Sequence, residues 1–176
     1  LAVGSRTVEV SWLVAVSWVV VGLSAAQILL LSFGRDQSIY ATVADGILRG
    51  QMPYRDLWDF KPPGIFLIYA LAQALFGKTM LAVRLLEVAG LVGMIFGFMR
   101  LSERFFGVRR VGVIGGAVAA LIHAQLEFWH TAQPETFGGF LTVWALVLTA
   151  CSGKRSRRLW RWLAIGALFG AGTLAS

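Results

Sequence analysis

The sequence predicts an all-α polytopic membrane protein, and its composition, its uncharged runs and its clustered arginines each favour this fold class. Of the 176 residues, 57% are hydrophobic and 14% are charged, and the mean hydropathy is +0.72. A soluble domain carries about 25% charged residues, so this composition indicates a chain that lies in lipid. The net charge of +7 does not indicate a nucleic-acid partner, because the bases fall in loops between apolar runs.

Five apolar runs are candidate membrane spans. Residues 10–33 contain no charge and are long enough to cross a hydrocarbon core of about 30 Å at about 1.5 Å per residue. The predicted spans are residues 10–33, 81–99, 111–126, 136–152 and 159–176. Because the last run stops with the sequence, we expect the N-terminal part of a longer transmembrane domain. The single cysteine, Cys151, lies in an apolar run and is predicted to be inert.

A sixth apolar run, residues 63–76, is too short for a typical span. About 14 helical residues cover roughly 21 Å, a length more typical of an interfacial or re-entrant helix. Two basic clusters, 100–110 and 154–161, are expected on the cytoplasmic side. Both clusters reach that side only if residues 63–76 do not cross. The N-terminus is then cytoplasmic, and loops 34–80 and 127–135 face outside.

The first outer loop is the most densely charged part of the chain. Within it, apolar side chains spaced as on one helical face predict a surface helix over about 36–49. Asp36 begins this helix, where it can cap the free backbone N–H groups. Asp36 also emerges where a lipid-anchored substrate presents its head group, and a carboxylate held there can act as a general base. The residues alone leave both interpretations open.

Basic and aromatic side chains of the same loop are candidates to bind a phosphate. Lys61 precedes two prolines that start the next helix, and a lysine beside a helix N-terminus favours an anion. A lysine that snorkels at the membrane boundary is the alternative. The other predicted substrate or lipid-phosphate contacts in this loop are Arg35, Arg55, Tyr40 and Tyr54.

The second outer loop and the start of the second span add further candidates. Glu135 follows Pro134 and is a second candidate catalytic acid, or a first-turn helix residue. His130 is either an interfacial polar residue or a candidate substrate contact and, with Glu135 and Asp36, a candidate divalent-metal ligand. Arg84 forms an i, i+3 pair with Glu87, which is either a functional site within the membrane or a tie between helices.

The stretch "RDQSIYATVADGILRGQMPYRDLWDFKPPGIFLIYALAQALFG", between the first span and an arginine-led span, resembles the N-terminal module of GT-C glycosyltransferases. The similarity is greatest to the protein mannosyltransferase and aminoarabinose-transferase type, glycosyltransferase family 39. The matching features are an Asp at the start of the loop, "GQMPYRD", "KPPG" and an acid at the head of a later span. Gln37 departs from the family pattern, in which Glu is common.

The resemblance implies a GT-C-like bundle with two juxtamembrane helices in the first outer loop. It implies a polyprenyl-phosphate sugar donor and inverting transfer to a lipid, glycan or protein acceptor on the extracytoplasmic side. Asp36 would be the base, and Lys61 with nearby arginines would stabilise the leaving phosphate. Some members of the wider class use a divalent metal such as Mg²⁺ or Mn²⁺. We expect a multi-pass protein of a bacterial plasma membrane.

Two other functions compete with the glycosyltransferase. A transporter or flippase of lipid-linked head groups should carry ionisable residues at mid-span and broken helices. The predicted mid-spans are almost free of charge. In a non-catalytic scaffold subunit, the acids of the two outer loops need not converge. The sequence does not identify the sugar, the acceptor or the prenyl chain length.

Overall fold

The computed structural model describes residues 2–151 and 159–175, and in these residues the chain is all-α. The described helices are α1 (Ala2–Leu30), α2 (Arg35–Leu48), α3 (Pro63–Phe76), α4 (Met80–Phe106), α5 (Arg110–Gln125), α6 (Pro134–Cys151) and α7 (Leu159–Ala175). A short 3₁₀ turn, Glu127–Trp129, follows α5. The described part of the chain contains no strand, and its extended pairing is limited to an isolated bridge between Pro53 and Leu57. This confirms the predicted fold class.

Three described helices are long and apolar enough to cross a bilayer. They contain Ser11–Leu30, Met80–Phe106 and Pro134–Cys151. The helices α3 and α5 and the segment Trp162–Leu174 of α7 are apolar but shorter. The chain is therefore an integral membrane protein.

Two helix boundaries differ from the prediction for physical reasons. Helix α1 ends at Leu30 rather than residue 33, and the carbonyl groups of Leu31 and Ser32 accept hydrogen bonds from Arg84 instead of continuing the helix. Helix α4 continues past the apolar run to Phe106, where Gly107 ends it with φ 72°. Charged residues form regular helix there, so hydropathy alone placed the end too early.

Contacts between helices fix their relative directions. Helices α4 and α6 are parallel: Gly90 lies against Phe140 near their starts, and Arg104 donates to the carbonyl of Ala150 near their ends. Helices α1 and α5 are also parallel, because Gln27 near the end of α1 donates to Ala124 near the end of α5. The bundle therefore has two distinct ends.

We call one end the α2–α3 end, because α2, α3 and loop 126–133 lie there. We call the other the arginine end, because it carries Arg100, Arg104, Arg109 and Arg110. Arg84 at the start of α4 bonds the residues that follow α1, so the chain leaves and re-enters the bundle at the α2–α3 end. Residues 63–76 therefore lie in a segment that begins and ends at the same end of the bundle, and that they do not cross the membrane stays a prediction. The side of the membrane each end faces stays a prediction from charge.

Helices α2 and α3 pack together over the bundle through aromatic side chains. Tyr40 on α2 meets Tyr69 and Phe66 on α3, with ring centroids 5.7 and 6.1 Å apart. Tyr40 and Val43 are buried as the helical pattern predicts, whereas Leu48 is exposed. The predicted apolar face of α2 is therefore buried only in part.

The start of α2 corrects one interpretation of Asp36. The N-cap residue is Gly34, and its N–H donates to the Oε1 atom of Gln37. Asp36 lies inside the first turn of the helix and does not cap it. Its carboxylate is therefore not used for capping, and the general-base interpretation is the one that remains open.

Candidate functional site

The site is centred on the hydroxyl group of Tyr40. This hydroxyl is buried in the contact between α2 and α3 and donates to the Oε1 atom of Gln133 at 3.3 Å. Burial raises the pKa of Tyr40 well above its usual value, and the negative charges of Asp36, Asp59 and Glu135 raise it further. Three carboxylates from three separate segments therefore lie close enough to act on one phenol.

Asp36 is exposed, as is Glu135 in the same group of acids. It lies one helical turn before Tyr40 on α2, so both side chains share a face of the helix. Asp36 makes no hydrogen bond and no ion pair with the part of the chain that the structure describes. A carboxylate without a protein partner is free to accept a proton or a hydrogen bond from a substrate.

Lys61 and Glu135 bring the two outer loops together. The Nζ atom of Lys61 lies 3.7 Å from Oε1 of Glu135, and the side chains are 23% and 56% exposed. Lys61 lies just before the proline start of α3, and Glu135 follows Pro134 in the first turn of α6. The structure thus places these two predicted residues, which are distant in sequence, in contact.

Tyr54 supports the segment that carries Lys61. Its hydroxyl donates to the carbonyl oxygen of Lys61 at 2.6 Å, and its ring packs on Trp58 and Phe66. Tyr54 has φ 65°, which is unusual for a residue other than glycine. The contacts give Tyr54 a role in holding Lys61, whereas the sequence predicts a substrate contact.

The two predicted arginines of this loop differ in whether a protein group pairs with them. Arg35 is exposed and has no hydrogen-bond or ion-pair partner among the described residues. Arg55 donates to both oxygens of Asp56, at 2.9 and 2.8 Å. These bonds, with one from the N–H of Met52, lower the pKa of Asp56 to about 2. Arg35 is therefore the better placed of the two to meet a substrate.

Arg84 bonds three protein groups. Its side chain is fully buried and donates to the carbonyl groups of Leu31 and Ser32 and to the carboxylate of Glu87. These acceptors occupy the guanidinium fork. These contacts are those of a tie between helices, and the functional interpretation of Arg84 stays a prediction.

His130 and Glu135 line a cavity of about 340 Å³ between α4, α5 and α6. The ring of His130 lies 5.6 Å from that of His123, and Met94 and Phe140 form apolar walls. Within residues 2–151 and 159–175, no three His, Cys, Asp or Glu side chains converge as a metal site. The divalent-metal site considered from sequence for His130, Glu135 and Asp36 stays a prediction, and no step below uses a metal.

Sequence reasoning missed three residues of this region. Asp59 lies near Tyr40, and its Oδ1 atom accepts the N–H of Lys61 at 2.8 Å. Gln37 is fully buried and donates through Nε2 to the carbonyl of Thr131 at 2.7 Å, a bond that a carboxylate cannot make. His123 lies in an apolar run, and the signal that could have found it is a polar residue in an otherwise apolar helix.

A comparison with protein families places this geometry in a known context. A family model described as dolichyl-phosphate-mannose-protein mannosyltransferase matches residues 60–175, which is more than half of the chain. Lys61 and Glu135 lie within the matched region, and Asp36 precedes it. No match was found among curated proteins or among solved structures.

Proposed function

Because the chain belongs to the dolichyl-phosphate-mannose-protein mannosyltransferase family, a family of membrane glycosyltransferases, we propose that the α2–α3 end is its active site. The site transfers a sugar from a polyprenyl-phosphate donor to an acceptor hydroxyl, with inversion at the anomeric carbon. Asp36 is the general base, and Lys61 stabilises the leaving phosphate. The α2–α3 end faces the extracytoplasmic side.

One observation carries this proposal: three acids from separate segments act electrostatically on the Tyr40 hydroxyl, and a lysine contacts one of these acids. Asp36, Asp59 and Glu135 lie near this hydroxyl, and Lys61 lies against Glu135. A scaffold subunit has no need for such convergence. For a transporter, broken mid-span helices are expected, whereas α4 and α6 run without a break through their apolar segments.

The transfer step needs a base and an anion-binding group on opposite sides of the anomeric carbon. Asp36 accepts the proton of the acceptor hydroxyl while its oxygen forms a bond to the anomeric carbon. The bond from that carbon to the phosphate oxygen breaks, and its electron pair leaves with the polyprenyl phosphate. Because attack and departure take place on opposite faces, the configuration inverts.

Lys61 is suited to the charge that develops on the phosphate. Its ammonium group lies beside the proline start of α3, whose first N–H groups form the positive end of the helix. The 3.7 Å separation from Glu135 is longer than a close hydrogen-bonded ion pair, so Lys61 can turn toward a phosphate. Arg35, exposed beside Asp36, is a second cation for the donor.

The test is glycosyl transfer by the full-length protein in nanodiscs, with a panel of polyprenyl-phosphate sugars as donors. We expect one donor to be consumed, and Asp36→Asn to lower the turnover number about 10²–10⁴-fold, because a positioned general base contributes roughly that factor. The matched control is Asp45→Asn on the same helix. Asp45 lies nine residues further on, half a turn around the helix, and pairs with Arg49 and Lys78.

Two results would contradict the proposal. If Asp36→Asn and Asp45→Asn turn over at the wild-type rate, the base lies elsewhere, and Glu135→Gln is the next variant. If no donor of the panel is consumed by folded wild-type protein, the glycosyltransferase assignment fails. Binding of lipid-linked head groups then becomes the property to measure.

A further inference from the structure

Loop 126–133 contains two residues in an unfavourable backbone conformation. Glu127 has φ 46° and Ala132 has φ 54°, and neither is a glycine. Side chains with a Cβ atom rarely adopt this region, and they stay there only when surrounding contacts determine the backbone. The contacts of this loop are therefore expected to be numerous and specific.

Three helices hold the loop at its last residues. The N–H of Ala132 donates to Oε1 of Glu87 on α4 at 2.5 Å, and its carbonyl accepts from the hydroxyl of Tyr69 on α3 at 2.8 Å. The carbonyl of Thr131 accepts from Gln37 on α2. Ala132 and Thr131 are both fully buried. Both the N–H and the carbonyl group of Ala132 are thus hydrogen-bonded to other helices.

Glu87 is the charged member of this set and makes the most connections. Its Oε1 atom also lies 2.9 Å from Nε2 of His123 on α5, and its Oε2 atom accepts from Arg84 at 2.9 Å. Arg84 in turn donates to the carbonyl groups of Leu31 and Ser32. One buried carboxylate therefore joins the loop to α5 and to the segment that leads from α1 into α2.

The position of the loop determines the position of a proposed site residue. Ala132 precedes Glu135 by three residues, and Glu135 begins α6 and meets Lys61 at 3.7 Å. A change in the backbone at Ala132 turns the entry of α6 and moves this carboxylate relative to Lys61. The backbone of Ala132 is set by its bond to Glu87.

We propose that Glu87 is a positioning residue, which holds Ala132 in its left-handed conformation and thereby places Glu135 against Lys61. The predicted effect of Glu87 on transfer rests on the proposed function. The predicted effect of Glu87 on the conformation of the loop does not depend on any activity. Glu87 is fully buried, so it acts on the site through the groups that it bonds.

The experiment compares Glu87→Gln with wild type in the full-length protein, by hydrogen exchange of the peptide 127–135 and by transfer kinetics. We expect exchange in this peptide to accelerate at least tenfold. The turnover number should fall at least tenfold, with the KM for the donor changing less than threefold, because the donor still binds to Lys61 and Arg35. Glu103→Gln, also on α4 but at the arginine end, is the matched control and should change neither quantity.

Two further variants separate positioning from general stability. Glu87→Asp keeps the charge that Arg84 needs but draws the carboxylate back from Ala132, so it should fold and still accelerate exchange in the loop. Adding Ala132→Gly to Glu87→Gln should restore transfer at least threefold, because glycine adopts the left-handed conformation without a Cβ clash. If Glu87 were needed only for stability, adding Ala132→Gly would not raise the transfer rate per folded molecule.

The inference is overturned if Glu87→Gln and Glu87→Asp lower the melting temperature while loop exchange and the transfer rate per folded molecule stay at wild-type values. If wild type consumes no donor, the proposed function fails. The exchange of peptide 127–135 in the same variants still decides whether Glu87 holds the loop.

Discussion

The two ends of the bundle use the same charged residue types in different ways. At the α2–α3 end, Arg84 and Glu87 form an ion pair with both side chains fully buried. At the arginine end, Arg109 and Glu103 form a pair of equal length, 2.9 Å, but their side chains are 55% and 42% exposed. Burial therefore distinguishes the two pairs, and distance does not.

The partners of the polar side chains differ between the two ends as well. At the α2–α3 end, Gln37, Tyr69 and Arg84 bond backbone groups of segments far away in sequence. At the arginine end, Arg104 also reaches a distant carbonyl on α6, but the loop itself is completed locally, because the hydroxyl of Ser102 bonds the carbonyl of Val108. A loop that carries reacting groups needs support from several helices, whereas a loop that only reverses the chain is completed by local bonds and a glycine.

The largest expected effect comes from removing one partner of the buried pair. Arg84→Met leaves Glu87 buried without its guanidinium partner, and breaking a buried pair in this way costs about 3–5 kcal/mol of unfolding free energy. Thermal denaturation followed by tryptophan fluorescence measures the loss. The control is Arg100→Met, whose side chain is 61% exposed and 4.0 Å from Glu103, and which should leave the melting temperature unchanged. Equal losses in both variants would show that burial does not distinguish the ends.

The second prediction compares two lysines of the α2–α3 end. Lys61→Gln removes the cation proposed to stabilise the leaving phosphate, and the turnover number should fall about 10²–10³-fold, as on removal of one preorganised electrostatic donor. Lys78→Gln is the matched control, because Lys78 pairs with Asp45 on another face of α2. Its transfer rate should stay within about twofold of wild type. Similar losses in both variants would mean that the effect comes from the total positive charge at this end and not from the position of Lys61.

The smallest expected effect is at the arginine end. Glu103→Gln removes the exposed partner of Arg109, and exposed pairs contribute little because water and salt screen them. The melting temperature in detergent should stay within error of wild type at low and high salt. A clear loss that disappears at high salt would mean that this pair stabilises the bundle despite its exposure.

The helices were predictable from sequence because local hydropathy and helix-breaking residues determine them. The bounds of α3 agree with the predicted 63–76, since Pro63 opens the helix and Gly77 with φ 83° ends it. The end of α4 was not predictable in this way, because its last turns are helical but charged. Hydropathy indicates which residues lie in lipid, but a helix can continue beyond the lipid into charged residues.

The candidate site was predictable only in part. Asp36, Lys61 and Glu135 stand out because charge beside a proline or at a helix start is visible in sequence. Their roles stay predictions, but the structure brings Lys61 and Glu135 together. Tyr54 is a predicted substrate contact, and Arg84 is predicted to be either functional or a tie between helices; the structure adds protein partners for both. Whether a polar side chain faces a ligand or the backbone depends on segments that meet only after folding.

The sequence by itself determined the fold class, the family resemblance and the position of the charged loops, because composition, periodicity and motif spacing are local properties of the chain. The tertiary structure decided that Glu87 bonds Ala132, that Gln37 bonds Thr131 and that Asp59 lies near Tyr40. These contacts join segments separated by many residues and a helix reversal. No local pattern encodes them, because each depends on how the helices pack.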